Sequence, residues 1–151
     1  MYRTFQAAKT ICSLSDWKIS NLPLEKILYL SQMFCLGKHN RPLIDGNFEA
    51  WDYGPVQPEV YHRVKPYGSG AVPDIFPTDL FPEDSDDYRI VDEVCRQTKN
   101  MKPGQLVAIT HQDGGAWAQY YQPNVRGIVI PNEAIKDEYA RRLAASEARR
   151  Q

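Results

Sequence analysis

The chain has 151 residues, 42% of them hydrophobic, which suits one globular domain with a single core and is too little for two independently stable ones. Its 18 basic residues are offset by 19 acidic ones, so the electrostatic footprint of a protein built to grip nucleic acid or an anionic membrane is missing. No apolar run approaches the ~20 residues that span a bilayer, and residues 1–18 lack the charged start and apolar middle of a secretory signal, which predicts a cytoplasmic protein.

The first element is an amphipathic helix over Thr4–Leu14, with Phe5, Ala8, Ile11 and Cys12 at helical spacing. The second, Leu22–Lys38, is different in kind. Its Leu24, Ile27, Leu28, Leu30, Met33, Phe34, Cys35 and Leu36 spread around nearly the whole circumference, so it must be wrapped on most sides and forms the centre of the fold. Asn21 or Leu22 caps it, Pro23 sits in its first turn, and Gly37 ends or loosens it. Its polar minority places Glu25, Tyr29 and Gln32 on one stripe, predicted to meet the segment around Trp51, with Lys26 elsewhere on the wheel.

After an Asp45-Gly46-Asn47 turn, residues 48–53 alternate as a short strand would, until Gly54-Pro55 breaks the pattern. Pro55 or Pro58 opens a helix with Val60, Tyr61 and Val64 on one face. Residues 68–87 hold three prolines, two glycines and six carboxylates and read as an acidic surface loop, pinned to the body by Val72, Ile75, Phe76, Leu80 and Phe81. Helices follow over Asp87–Met101 and from Leu106 into Thr110-His111, and Asp113-Gly114-Gly115 turns the chain toward Trp117, Tyr120 and Tyr121. Residues 125–130 are β-branched enough to pair with 48–53. Pro131 starts a last helix carrying Ile135, Tyr139 and Leu143 and the charge pairs Asp137–Arg141 and Glu138–Arg142, with a fraying tail over 145–151. The sum is a single domain over 1–151, predominantly α (α+β, close to all-α). About six helices surround the helix at 22–38, beside a small antiparallel element of 48–53 with 125–130.

Three cysteines, Cys12, Cys35 and Cys95, are odd in number and widely spaced and read as reduced core thiols. Together with His39, His62 and His111 they show no metal-site spacing, so neither metal nor cofactor is expected. Gly68-Ser69-Gly70 runs into Pro73 instead of a helix N-terminus and so cradles no phosphate. What stands out is aromatic and histidine density beside backbone breakers: Trp51, Tyr53, Gly54, Pro55, Tyr61 and His62 in one place, Thr110, His111 and Trp117 in another. Such residues serve either as core and rim aromatics or as the energetic centre of an interface.

Four blocks carry a resemblance: LPLEKILYLSQ at Leu22–Gln32, RPLIDGNFEAWDYGPVQPEVYHRVKPYG at Arg41–Gly68, THQDGGAW at Thr110–Trp117 and IPNEAIKDEY at Ile130–Tyr139. Together they resemble the Panacea domain, the family of SocA-like antitoxins and phage-associated GepA-like proteins. Two departures stand out: Ala116 where that family has proline, and an acidic segment over Pro73–Asp87 without counterpart. The resemblance implies a bacterial, prophage-associated protein that neutralises a toxin encoded nearby, by direct complex formation or by handing it to a cytoplasmic protease, without catalysis.

Carried onto this sequence, the motif implies toxin-binding residues Trp51, Tyr53, Pro55, Tyr61, His111 and Trp117, supported by Lys26, Tyr29, Gln32, Glu49 and Gly54. Two other readings stay open. One is a small-ligand-binding protein or hydrolase with a His111/Tyr53 pocket joined by His62 and Glu49; the other is a DNA-binding autoregulator using Arg141, Arg142, Arg149 and Arg150. Nucleic acid and membrane are not expected partners, and the oligomeric state is open, a homodimer included.

Overall fold

In a computed structural model that describes residues 1–150, helix α1 (Tyr2–Leu14) leads into helix α2 (Asn21–His39), and everything else is arranged around the latter. Strands β1 (Phe48–Trp51) and β2 (Gly54–Val56), helix α3 (Pro58–Val64) and a 3-10 turn at Lys65–Tyr67 follow. The chain continues through α4 (Asp86–Thr98), α5 (Pro103–Thr110), α6 (Ala116–Tyr120), β3 (Val129–Ile130) and α7 (Asn132–Arg149). The all-round apolar pattern of α2 is explained by its neighbours, since α1, α3, α4, α5, α7 and β2 all pack on it.

Gly37 does not end this helix. It lies where α7 crosses, and a β-carbon on it would stand 2.1 Å from the Tyr139 ring; the helix stops at Asn40, in the left-handed region at φ 54°.

The sheet runs β2-β1-β3, antiparallel throughout, with Trp51 opposite Gly54 and Phe48 opposite Ile130. It removes the all-α description, and it corrects two details. Gly54-Pro55 is not a break but the start of β2: Gly54 takes φ +115°, which lets the chain reverse over Asp52-Tyr53, and proline is tolerated on an edge strand. The partner strand is only Val129–Ile130, because Asn124 and Gly127 at positive φ keep the preceding residues in an exposed loop.

The acidic loop is pinned much as its apolar residues predict. Val72, Phe76 and Phe81 are buried and Ile75 half-buried, whereas Leu80 is exposed. Polar ties add to them: Val72 N–H donates to the Ile19 carbonyl (2.8 Å), Lys9 to that of Thr78 (2.8 Å), and Phe81 N–H to Thr10 Oγ1 (3.0 Å). Ser85 then caps α4, its Oγ accepting from Tyr88 N–H at 3.1 Å.

At the other end α7 stays helical past Ala144 to Arg149, and Leu143 is exposed instead of completing an apolar stripe. Cys12 and Cys35 are buried and Cys95 half-buried; burial pushes the Cys12 and Cys95 thiols up to about 12 and Cys35 to about 11. Among the described residues no helix is long and apolar enough to cross a membrane.

Candidate functional site

Strand alternation sends Phe48 and Ala50 into the core and leaves Glu49 and Trp51 on the other face of the hairpin. That face, Tyr61 and His62 of α3, the first turn of α2 and the loop at 125–127 enclose a groove of about 910 Å³. Trp51 meets Tyr61 edge to face, with ring centroids 4.8 Å apart, and its Nε1–H donates to Glu49 Oε1 at 3.0 Å. Leu22, Tyr53 and Val125 are exposed apolar side chains on its lining, Tyr53 at 72%.

Two ionisable side chains of α2 form the floor. Lys26 is 0% exposed and donates from Nζ to the Pro55 carbonyl at 3.0 Å. Glu25 accepts from Gln57 N–H through Oε1 at 2.7 Å, while its Oε2 is buried and has no hydrogen-bond partner. Burial pushes the Glu25 carboxyl up to about 8, against the pull of the Gln57 N–H and Lys26, and burial lowers Lys26 to about 8, against Glu25. The backbone is fitted closely here. A β-carbon on Gly54 would come 3.0 Å from Lys26 Nζ and 3.1 Å from His111 Nε2, besides the strain of φ +115°.

Behind the hairpin, three rings form a stack. His111 lies on Trp117 with centroids 3.8 Å apart and planes 6° from parallel, and Trp117 lies on Tyr121 at 4.6 Å. Trp117 Nε1–H donates to the Trp51 carbonyl (2.7 Å) and Tyr121 OH to Asp52 Oδ1 (2.6 Å), so the stack clamps the turn that carries Tyr53. His111 is lowered from its ordinary pKa by burial first and by the Lys26 charge, with the Tyr53 carbonyl opposing.

The family model described as "Antitoxin SocA-like, Panacea domain" matches residues 24–118, from the first turn of α2 through Ala118 in α6. The chain belongs to the SocA-like Panacea family. A relative named Antitoxin SocA, from Caulobacter vibrioides (strain NA1000 / CB15N), is 36% identical over 138 residues, covering 82% of this chain and 73% of its own. No solved structure matches.

In this Panacea domain the residues singled out from the sequence fall into three places. Trp51, Tyr53, Tyr61, Glu49 and Lys26 line the groove; Gly54 and Pro55 form its hairpin; His111 and Trp117 stand behind it, so the groove is not a His111/Tyr53 pocket. Tyr29 and Gln32 lie elsewhere. Tyr29 donates to Glu138 Oε1 (2.7 Å), and Gln32 Oε1 accepts from Leu43 N–H (2.7 Å) and Ile44 N–H (3.2 Å). Of the polar stripe only Glu25 reaches the groove, where it meets the Gln57 N–H just past β2, and Lys26, placed elsewhere on the wheel, is the residue that bonds the hairpin. α7 covers the Tyr29 side of the helix, while β2 lies over Lys26.

Two residues of this Panacea domain escaped the sequence reading. Gln57 caps α3, its Oε1 accepting from Val60 N–H at 2.8 Å, and presents its own N–H to Glu25. Glu138 looks like half of an exposed charge pair but is buried, where it accepts from Tyr29 OH, Ala116 N–H (2.9 Å) and Arg142. The signal was present: Glu138 lies three residues after Ile135, on the buried face. Ala116 supplies an N–H that a proline would lack, so the departure from the motif is used by this chain as a donor.

Proposed function

We propose that the protein is an antitoxin that neutralises its cognate toxin by binding it directly in the groove between the β1–β2 hairpin and α3. The observation that carries this is the collection of exposed Leu22, Tyr53 and Val125 around half-buried Trp51 and Tyr61, next to the hairpin of the family-matched span. Aromatic anchors of this kind dominate the energetic centres of interfaces. His111, the best acid–base candidate, supports binding over catalysis: its ring is stacked on Trp117 and it does not line the groove. Occlusion of the toxin and its delivery to a cytoplasmic protease both begin with this binding step.

Co-expression with the adjacent reading frame tests the proposal. The neighbour is expected to be toxic alone, harmless with this chain, and to copurify with it. Trp51→Ala is expected to lose both rescue and copurification while circular dichroism shows a folded chain. A neighbour that is harmless alone and does not copurify overturns the antitoxin role; full rescue by a folded Trp51→Ala protein overturns the groove.

A further inference from the structure

Resting on that reading of the groove, we infer that its floor is an anchor site for a cationic side chain, arginine or lysine, carried by an extended segment of the toxin. The cation passes over the Trp51–Tyr61 pair and ends on Glu25.

Glu25 is 2% exposed and only half satisfied, since Oε1 accepts from the Gln57 N–H at 2.7 Å and Oε2 has no partner. Nearly all buried polar atoms are paired, so an orphaned carboxyl oxygen at the floor of a groove marks a place where a partner is to be supplied, and the carboxyl that burial keeps protonated in the free protein gives up its proton to solvent as the cation binds. The chain's own cation does not supply it. Lys26 turns its ammonium to the Pro55 carbonyl at 3.0 Å, and among the described residues it forms no ion pair with Glu25.

The walls select for charge as well. Trp51 and Tyr61, in contact edge to face, offer aromatic surface to whatever passes over them, and Lys65 already stands over the Tyr61 ring at 5.9 Å. Half-buried Glu49 adds a further carboxylate to the lining, whereas Asp52, Lys65 and Arg126 are exposed, where solvent screens them. Length completes the match. Glu25 is 2% exposed and its Oε2 is buried, so the side chains over it must part for a ligand; a long, thin side chain asks the least of them, and arginine and lysine combine an aliphatic stem with a charged end. Asparagine or serine carries a donor but no such reach.

The test has an arm with the free protein and an arm with the toxin. In the first, Nα-acetyl-L-arginine amide is titrated into 15N-labelled protein while the indole N–H signals are followed, that of Trp51 being assigned with Trp51→Phe. Wild type is expected to show a saturable shift at Trp51 with Trp17 and Trp117 unmoved, and Nα-acetyl-L-glutamine amide is expected to give none. Glu25→Gln keeps an acceptor for the Gln57 N–H and places an amide donor where the free oxygen stands; it is expected to weaken the arginine response at least about tenfold. In the second arm, Glu25→Gln is expected to weaken toxin binding by a similar factor.

An arginine response equal to that of glutamine, or toxin bound equally well by wild type and Glu25→Gln, overturns the inference. If toxin is also bound normally by Trp51→Ala, the groove itself is wrong; if only Glu25→Gln binds normally, the groove stands and the cation site falls. Should Glu25→Gln lose its dispersed spectrum, Glu25→Asp serves instead: it keeps the charge, withdraws it by one methylene, and is expected to give a weaker but still arginine-selective shift.

Discussion

Glu25 and Glu138 are two carboxylates in equally deep burial, each 2% exposed on a helix of the core, and the chain treats them in opposite ways. Glu138 is saturated: Oε1 accepts from Tyr29 OH and Ala116 N–H, and Oε2 from Arg142, whose Nη2 also donates to the Ile109 carbonyl at 2.6 Å. Glu138 therefore ties α7 to α2 and α6, and Arg142, held by it, ties α7 to α5. Glu25 receives a single N–H and keeps one oxygen in reserve. A buried polar network adds rigidity only when every member is satisfied, so the saturated site is scaffold and the incomplete one faces the groove.

The largest way to break this comparison is Glu138→Ala. It leaves Arg142 and Tyr29 without their acceptor and takes away what joins the helices, and removing one partner of a buried pair costs about 3–5 kcal/mol. Urea unfolding measures it; a loss below about 1 kcal/mol would put Glu138 among ordinary surface pairs.

Next comes the pH response of Glu25. Its folded carboxyl is raised from 4.5 to about 8, so between those values the folded state holds a proton that the unfolded chain has released. Stability therefore falls as pH rises through that window, by at most about 1.4 kcal/mol per pH unit. Lys26 has the opposite sign. Lowered from 10.5 to about 8, it loses its proton earlier in the folded state, and stability returns as pH rises above about 8. The groups facing Glu25 are Lys26 on its own helix, the Gln57 N–H, and Glu59 of α3. Unfolding measured from about pH 5 to pH 9 is expected to show a minimum near pH 8 whose acidic limb is flattened in Glu25→Gln.

Smaller still is Gly37→Ala, which tests the scaffold side without touching a charge. The added methyl falls within the Tyr139 ring's space, at 2.1 Å, and overpacking of this kind costs about 1–3 kcal/mol. Adding Tyr139→Leu is expected to recover part of that loss, as a double-mutant cycle reads directly.

How much of this was legible in the sequence follows from which interactions leave a side-chain signature. The central helix was plain because apolar residues on every side admit no other reading, and its ends lie within one residue of those predicted. Pinning of the acidic loop by Val72, Phe76 and Phe81 was plain from their apolar side chains, while the pairing of β1 with the β3 segment was legible in its partner but not in its extent, which is Val129–Ile130 and not 125–130. Gly54-Pro55 was misread because a turn and an edge strand use the same two residues, and only long-range pairing distinguishes them. Lys26 could not be placed, since its acceptor is a backbone carbonyl that any residue carries. Nor does a run of aromatics say which of them face a groove and which, like His111 and Trp117, brace it from behind.

The finest test is Tyr53→Ala, where the two kinds of site separate most cleanly. Its ring is 72% exposed at the hairpin turn, and none of the chain's aromatic stacks or side-chain hydrogen bonds among the described residues involves it. Surface truncations of this sort change stability by no more than about 0.5 kcal/mol. The turn beneath is fixed by other groups, through Tyr121 on Asp52 and Trp117 on the Trp51 carbonyl, so removing the ring leaves the backbone as it was. A large aromatic carried into water on a backbone turn fixed by other groups gains nothing for the fold, and its contribution is expected at an interface. Tyr53→Ala should melt with wild type while weakening toxin binding at least about tenfold, as read by calorimetry of the purified pair; unchanged affinity would confine the interface to the groove walls at Trp51 and Tyr61.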